Sequence, residues 1–192
     1  MIGEATVVKN AGSHFLLSCL PEWELFPAVL RGKIRLKGSS STNPVAVGDR
    51  VSWESEDTPT VEHPATITEV HERKNYVIRK STNLSKQAHV IAANVDEAFI
   101  IVSLYFPEIK LPFLDRILVT CEVYNVPVTI VLNKVDMYRE MAQESIDAFH
   151  RIYEGAGYRV LETSARTGEG IDALREACRG KVCLLSGESG VG

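Results

Sequence analysis

The chain has 192 residues, of which 45% are apolar and 24% charged, with a net charge of −4. These are the proportions of an ordinary globular protein, long enough for one large domain or two small ones. No run approaches the roughly 20 apolar residues that cross a bilayer, and Met1-Ile2-Gly3-Glu4 lacks the basic and apolar regions of a signal peptide, so neither a membrane protein nor a secreted one is expected.

The first half reads as short strands. Glu4–Val8 and His14–Cys19 flank a turn-rich Lys9-Asn10-Ala11-Gly12-Ser13 of hairpin length. Strands are predicted over Ala28–Lys37, Asp49–Trp53 and Ala65–Val70, with Gly48-Asp49 as the turn into the alternating Val51 and Trp53. Five short strands without helical periodicity predict a small closed barrel, for which the OB-fold is the commonest solution. The polar segment 81–94 reads as a linker, which makes residues 1–80 the barrel domain and 95–192 a second domain.

From Val95 the pattern changes. Ala98–Leu104 is a continuous apolar run, as in a strand buried on both faces. Pro112 suits the first turn of a helix, and Leu114, Ile117, Leu118 and Cys121 then fall on one side of it. Val128–Leu132 is a second buried strand. Met141, Phe149, Ile152 and Tyr153 mark a helix that Gly155 and Gly157 end. Tyr158–Leu161, a short helix carrying Ile171, Leu174 and Cys178, and Val182–Leu185 complete the alternation. Strands alternating with helices imply a parallel α/β sheet, whose ligands sit at the carboxyl ends of the strands.

Charge follows the same division. Residues 1–94 carry 11 Lys and Arg against 10 Asp and Glu, while residues 95–192 carry 10 against 15. The total argues against nucleic acid, yet the split keeps that partner open for the first half. Cys19, Cys121, Cys178 and Cys183 are scattered within or beside apolar stretches, which fits buried thiols in a reducing compartment better than a disulfide framework. The five histidines show no metal-ligand spacing, and no metal site is expected in these residues.

Three motifs stand at three strand ends. Asn133-Lys134-Val135-Asp136 follows Val128–Leu132. A carboxylate accepts two parallel hydrogen bonds, and guanine presents N1–H and its N2 amino group side by side, so Asp136 would select guanine over adenine. Asn133 can donate toward guanine N7 and O6 and brace neighbouring loops, and the Lys134 stem can lie over the base. A polar turn capping the next helix through Asp136 is the plain alternative. Thr163-Ser164-Ala165-Arg166 follows the third strand, where backbone N–H groups of Ser164 and Ala165 can reach guanine O6. Gly187-Glu188-Ser189-Gly190-Val191-Gly192 follows the fourth and matches the first six positions of the phosphate loop G-x-x-x-x-G-K-[ST], whose glycines let successive N–H groups cradle phosphate oxygens. A plain glycine-rich tail is the alternative there. Base recognition therefore precedes phosphate binding, the reverse of the usual chain order.

That order, behind an N-terminal barrel, resembles the circularly permuted GTPases, and the chain is most similar to the ribosome small-subunit-dependent GTPase A family. The resemblance runs through Val47-Gly48-Asp49-Arg50-Val51, Ala93-Asn94-Val95-Asp96, Phe113-Leu114-Asp115-Arg116, Asn133–Asp136 and Leu185–Gly192. It implies an OB-fold barrel followed by an incomplete, circularly permuted, parallel-sheet P-loop GTPase domain. It implies a cytoplasmic, monomeric enzyme that hydrolyses GTP to GDP and phosphate late in maturation of the small (30S) ribosomal subunit. By motif match, Asn133, Lys134, Val135 and Asp136 bind the base, Ser164 and Ala165 contact it, and Gly187, Glu188, Ser189, Gly190, Val191 and Gly192 hold phosphate. The catalytic group and the Mg²⁺ ligands are expected beyond Gly192, as is a C-terminal Zn²⁺ segment. These 192 residues alone are therefore expected not to hydrolyse GTP.

The family places 16S rRNA against the barrel, and the barrel carries matching cations. Arg31, Lys33, Arg35 and Lys37 alternate along one predicted strand, which puts all four on one face. Arg73, Lys74, Arg79, Lys80 and Lys86 form a second cluster. Phosphate backbones favour such tracks, beside which aromatic side chains can stack on bases. Trp53 and Tyr76 are the candidates for that, but the core is the better place for Trp53. A solvated edge strand is the simpler account of the stripe. The rival functions are an RNA-binding assembly module without GTPase activity and a permuted GTPase acting on another ribosomal target.

Overall fold

The computed structural model describes residues 1–30, 45–80 and 88–192. The chain divides into two compact units, Met1–Asn94 and Val95–Gly192. Arg31, Lys33, Arg35, Lys37 and Lys86 lie outside the described residues, as does the part of the predicted third strand beyond residue 30.

The first unit contains a closed barrel of β1 (Ile2–Ala11), β2 (His14–Ser18), β3 (Leu25–Leu30), β4 (Arg50–Glu54) and β5 (Ala65–Val70) in the order β1-β2-β3-β5-β4. β4 returns antiparallel to β1, and β3 lies parallel to β5, so the sheet has no free edge. Side chains alternate across each strand. Ala5 and Val7, Phe15 and Leu17, Val51 and Trp53, and Ala65 and Ile67 thus share the interior with Ala28 and Val45. Each large side chain among them contributes about 1.5–3 kcal/mol on leaving water. Trp53 is one of these core residues, its ring 4.8 Å from that of Phe26.

Part of the expected linker is a strand. β6 (Tyr76–Lys80) pairs antiparallel with β7 (Ala88–Ala93), apart from the barrel sheet. The end of β7 docks on the Val47–Arg50 turn, where Ala93 N donates to Val47 O and Asn94 Nδ2 to Gly48 O, both at 2.9 Å. Gly48 is required there. Its φ is +92°, and a Cβ would stand 2.0 Å from the Ala93 carbonyl oxygen, so any side chain would expel β7.

The second unit is a four-stranded parallel sheet in the order β10-β9-β8-β11, formed by β8 (Glu97–Val102), β9 (Val128–Leu132), β10 (Arg159–Glu162) and β11 (Cys183–Gly187). Ala98, Phe99 and Ile100 on β8 are all buried, because the strand is covered on both faces. Three helices connect the strands: α1 (Leu111–Val123), α2 (Val135–Gly155) and α3 (Ile171–Cys178). Leu174, Ala177 and Cys178 of α3 pack on Phe99 and Val131. α2 begins earlier than its apolar spacing implies, at Val135, so that Asp136 stands in its first turn. The cysteines are less uniform than expected: Cys121 is buried, Cys178 and Cys183 are half-buried, and Cys19 is exposed.

Candidate functional site

The three motifs converge at the carboxyl end of the parallel sheet, held together by one side chain. Asn133 follows β9 directly, its N–H donating to Val102 O at 2.8 Å, and the residue is only 4% exposed. Its Oδ1 accepts from Thr163 Oγ1 at 3.0 Å and from Ala165 N at 3.2 Å. Its Nδ2 donates to the Val191 carbonyl at 2.8 Å. A backbone N–H on one side and a carbonyl on the other fix which way the amide faces. Asn133 therefore braces the three loops, using Oδ1 and one of the two Nδ2 hydrogens.

Lys134 holds a left-handed backbone, with φ +65°, at the turn from β9 into α2. Its Nζ donates to Phe106 O at 2.6 Å and to the Gly190 carbonyl, so its stem crosses the site and ties β8's following segment to the phosphate loop. The Tyr138 hydroxyl donates to Asn133 O at 2.7 Å. Burial pushes that phenol's pKa above its ordinary value.

Asp136 stands at the rim, its side chain 14% exposed and Oδ2 4.0 Å from Arg166 Nη1. Placed on the first turn of α2, its carboxylate is favoured by the helix dipole. Ser164 is buried in a tight turn: its N–H donates to Glu169 O at 2.9 Å, and its Oγ accepts from Thr167 N at 3.1 Å. Gly170 closes this turn with φ +71°, and a Cβ would lie 2.0 Å from Glu162 O. The Ala165 N–H, expected to reach guanine O6, donates here to Asn133.

The segment after β11 folds back on the sheet end. A Cβ on Gly187 would meet Ile101 O at 2.6 Å and Val191 Cγ2 at 2.7 Å, and one on Gly192 would meet Asn133 Nδ2 at 2.1 Å. Gly190 has φ +88°. Val191 is buried beneath the loop, and Lys110 Nζ lies 4.0 Å from Glu188 Oε1. Glycines at 187, 190 and 192 are thus demanded by packing and backbone, as in a loop that offers N–H groups to phosphate.

The barrel-side cations fare differently. Arg73 forms a bidentate pair with Asp49, Nε to Oδ1 at 2.6 Å and Nη2 to Oδ2 at 2.7 Å, with its side chain 11% exposed and that of Asp49 fully buried. This corrects its reading as a phosphate contact: the guanidinium neutralises a buried carboxylate. Asp49 Oδ2 also accepts from Ala46 N at 2.8 Å, so the pair fixes the Val45–Arg50 turn. Lys74 is exposed. Tyr76 is half-buried beside the Arg73 guanidinium. Sequence reasoning passed over Trp23, which is 65% exposed on the β2–β3 connection. Among the described residues no group of three or more His, Cys, Asp or Glu could hold a metal ion.

The Asn133-Lys134-Val135-Asp136 loop after β9, a small-residue loop after β10 and a glycine loop after β11, in that chain order on one parallel sheet following a closed barrel, define a circularly permuted P-loop GTPase fold. The RsgA GTPase family model matches residues 70–192, and the chain belongs to that family. It is 46% identical over 186 residues to the small ribosomal subunit biogenesis GTPase RsgA of Bacteroides fragilis, covering 97% of this chain and 58% of that protein. To its namesake in Porphyromonas gingivalis it is 42% identical over 191 residues, covering 98% and 59%. The chain thus spans somewhat more than half the length of these relatives. The crystal structure of YjeQ from Thermotoga maritima superposes with a TM-score of 0.76 at 31% identity, over 100% of this chain and 62% of that one. YloQ, described as a circularly permuted GTPase, superposes with a TM-score of 0.69 at 24% identity over the same shares, a likeness of fold alone.

Proposed function

We propose that the protein carrying this chain binds guanine nucleotide at the β9, β10 and β11 loops and hydrolyses GTP to GDP and phosphate. It acts late in maturation of the small ribosomal subunit, as a monomer in the cytoplasm, with 16S rRNA against its barrel. The observation that carries the nucleotide reading is the Asn133 side chain, whose three hydrogen bonds join the base-recognition, small-residue and phosphate loops. Asp136 is left at the rim to accept the guanine N1–H and N2 amino group. The glycine loop over residues 187–192 receives the phosphates, with Mg²⁺ supplied at them when nucleotide binds and Zn²⁺ held in a further segment. The names of the relatives support the ribosomal target.

The test is GTP and ATP hydrolysis by the full gene product with and without purified small subunits. Turnover of GTP alone, rising when subunits are added, is expected. GTP turnover indifferent to subunits would remove the ribosomal target and keep the GTPase. Absence of turnover under both conditions would leave an RNA-binding assembly module.

A further inference from the structure

One end of the barrel differs chemically from the rest of its unit. The start of β1, the β2–β3 connection and the β4–β5 connection emerge there together, since Ile2 pairs with Glu54, Ser18 with Leu25 and Glu54 with Thr66. Main-chain bonds join them: Ser55 N donates to Met1 O at 2.8 Å, and the Met1 ammonium donates to Ser55 O. Cys19 Sγ reaches the Glu4 carbonyl at 3.6 Å. The segments that build this end, 1–4, 19–25 and 54–64, hold seven of the ten Asp and Glu of residues 1–94 and none of the eleven Lys and Arg.

The same segments present apolar surface. Trp23 is 65% exposed, and Ile2, Leu25 and Val61 are also exposed. Glu22 and Glu24, both exposed, flank Trp23 in sequence. The indole does no work in the core, which Phe26 and Trp53 fill without it. Glu4 is paired with the exposed Arg50 at 3.1 Å, while the other acids of this end lie in segments that contribute no Lys or Arg, which opposes phosphate binding. An anionic membrane surface is opposed for the same reason. The complementary occupant is cationic and peptidic. A guanidinium stacks on an indole face, tryptophan is a common anchor at the centre of interfaces, and a carboxylate rim steers and orients a basic partner.

We propose that this barrel end docks a Lys/Arg-rich protein segment, with Trp23 as the anchor and Glu22 and Glu24 beside it. The proposal rests on the small-subunit reading for where that segment is displayed, and it gives the barrel two distinct partners. The stripe Arg31, Lys33, Arg35 and Lys37 serves nucleic acid, and the acidic end serves protein.

The experiment measures the affinity of the full gene product for purified small subunits, comparing wild type with Glu22→Lys/Glu24→Lys, Trp23→Ala and Trp23→Phe. These side chains are exposed, and far-UV circular dichroism with a urea melt checks that each variant folds. Charge reversal is expected to weaken binding about tenfold, and Trp23→Ala at least about fivefold, with Trp23→Phe between it and wild type. Carbodiimide coupling of the wild-type complex should join the peptide containing Glu22 and Glu24 to a lysine of a subunit protein. Tighter binding on charge reversal would show that RNA occupies this end, and affinities unchanged in every variant would show that nothing does; either overturns the proposal. Wild type that neither binds subunits nor responds to them would overturn the small-subunit reading and the docking with it. Wild type that binds while the variants behave as it does would overturn the docking alone.

Discussion

Asp136 and Asn133 sit two turns of logic apart, although three positions separate them in the chain. Asp136 stands on the first turn of α2 with its carboxylate 4.0 Å from Arg166, and under the proposed function it is the residue that chooses the base. Asp136→Asn replaces one acceptor oxygen with an amide donor, which suits the C2 oxygen of xanthine. The ratio of xanthine to guanine nucleotide affinity in the full gene product should rise by about a hundredfold or more, on the scale of buried polar discrimination. Unaltered guanine preference would remove Asp136 from base selection. Asn133 acts inward instead. Asn133→Ala strips partners from Thr163 Oγ1, Ala165 N and the Val191 carbonyl at once, and unsatisfied buried groups cost about 1–3 kcal/mol each. A loss of about 2–4 kcal/mol in urea unfolding is expected, together with weakened binding of every nucleotide. The motif spacing made Asn133 legible as a site residue. Its capacity to brace neighbouring loops was legible too, but the partners it takes were not, because two of them lie 30 and 58 residues further along the chain.

At the scale of elements, two polar clusters tie strands together. Arg73 reaches back 24 residues to Asp49, joining the segment before β6 to the turn before β4. Truncating one partner of a buried pair leaves the other charge uncompensated, so Arg73→Ala should destabilise the protein by about 3–5 kcal/mol in a urea melt. A loss under about 1 kcal/mol, typical of an exposed pair, would return Arg73 to the surface role its sequence context suggested. In the second unit Glu97 on β8 accepts from Thr129 Oγ1 on β9 and from Lys181 Nζ before β11. Burial alone would raise its pKa, but the hydrogen bonds from Lys181 and Thr129 outweigh it and hold the carboxyl below its ordinary value of 4.5. The stabilisation is therefore present above pH 4.5 and fades as pH falls through the lower folded value. Unfolding free energy measured from pH 6 downward should fall less steeply for Glu97→Gln than for wild type in that acid window. Equal slopes would assign the acid sensitivity to other carboxylates. Neither cluster follows from periodicity, which reports apolar faces; both were visible only as isolated charges within or beside strands. The β6–β7 pair escaped for a related reason: a polar segment carries no apolar alternation strong enough to mark a strand before its partner is known.

At the scale of the whole molecule, charge sorts the partners. The cations at Arg31, Lys33 and Arg35 are the expected phosphate contacts, and their joint replacement by Ala should weaken binding to small subunits. It should also flatten the slope of log affinity against log salt by about 2, from roughly 0.7 per lost phosphate contact on single-stranded RNA. An unchanged slope would take this stripe out of the RNA contact. Charge reversal at the acidic barrel end is expected to weaken subunit binding as well, so the two surfaces are told apart by where carbodiimide coupling lands, on a subunit protein for the acidic end, and not by the sign of the response.

What the sequence determined by itself was whatever local pattern carries: period-two strands in the first half, buried strands alternating with helices in the second, and three short motifs in a permuted order. Those patterns are written in neighbouring residues, and each motif follows its strand within a few positions. The tertiary structure alone decided which polar side chains turn inward. It gave Asn133 its partners in two other loops, made Arg73 a buried counter-charge, set the core tryptophan Trp53 against Phe26, and left Trp23 outside. Each outcome depends on groups brought from distant parts of the chain to within 3–5 Å, and hydrogen bonding and desolvation act over that distance regardless of separation in sequence.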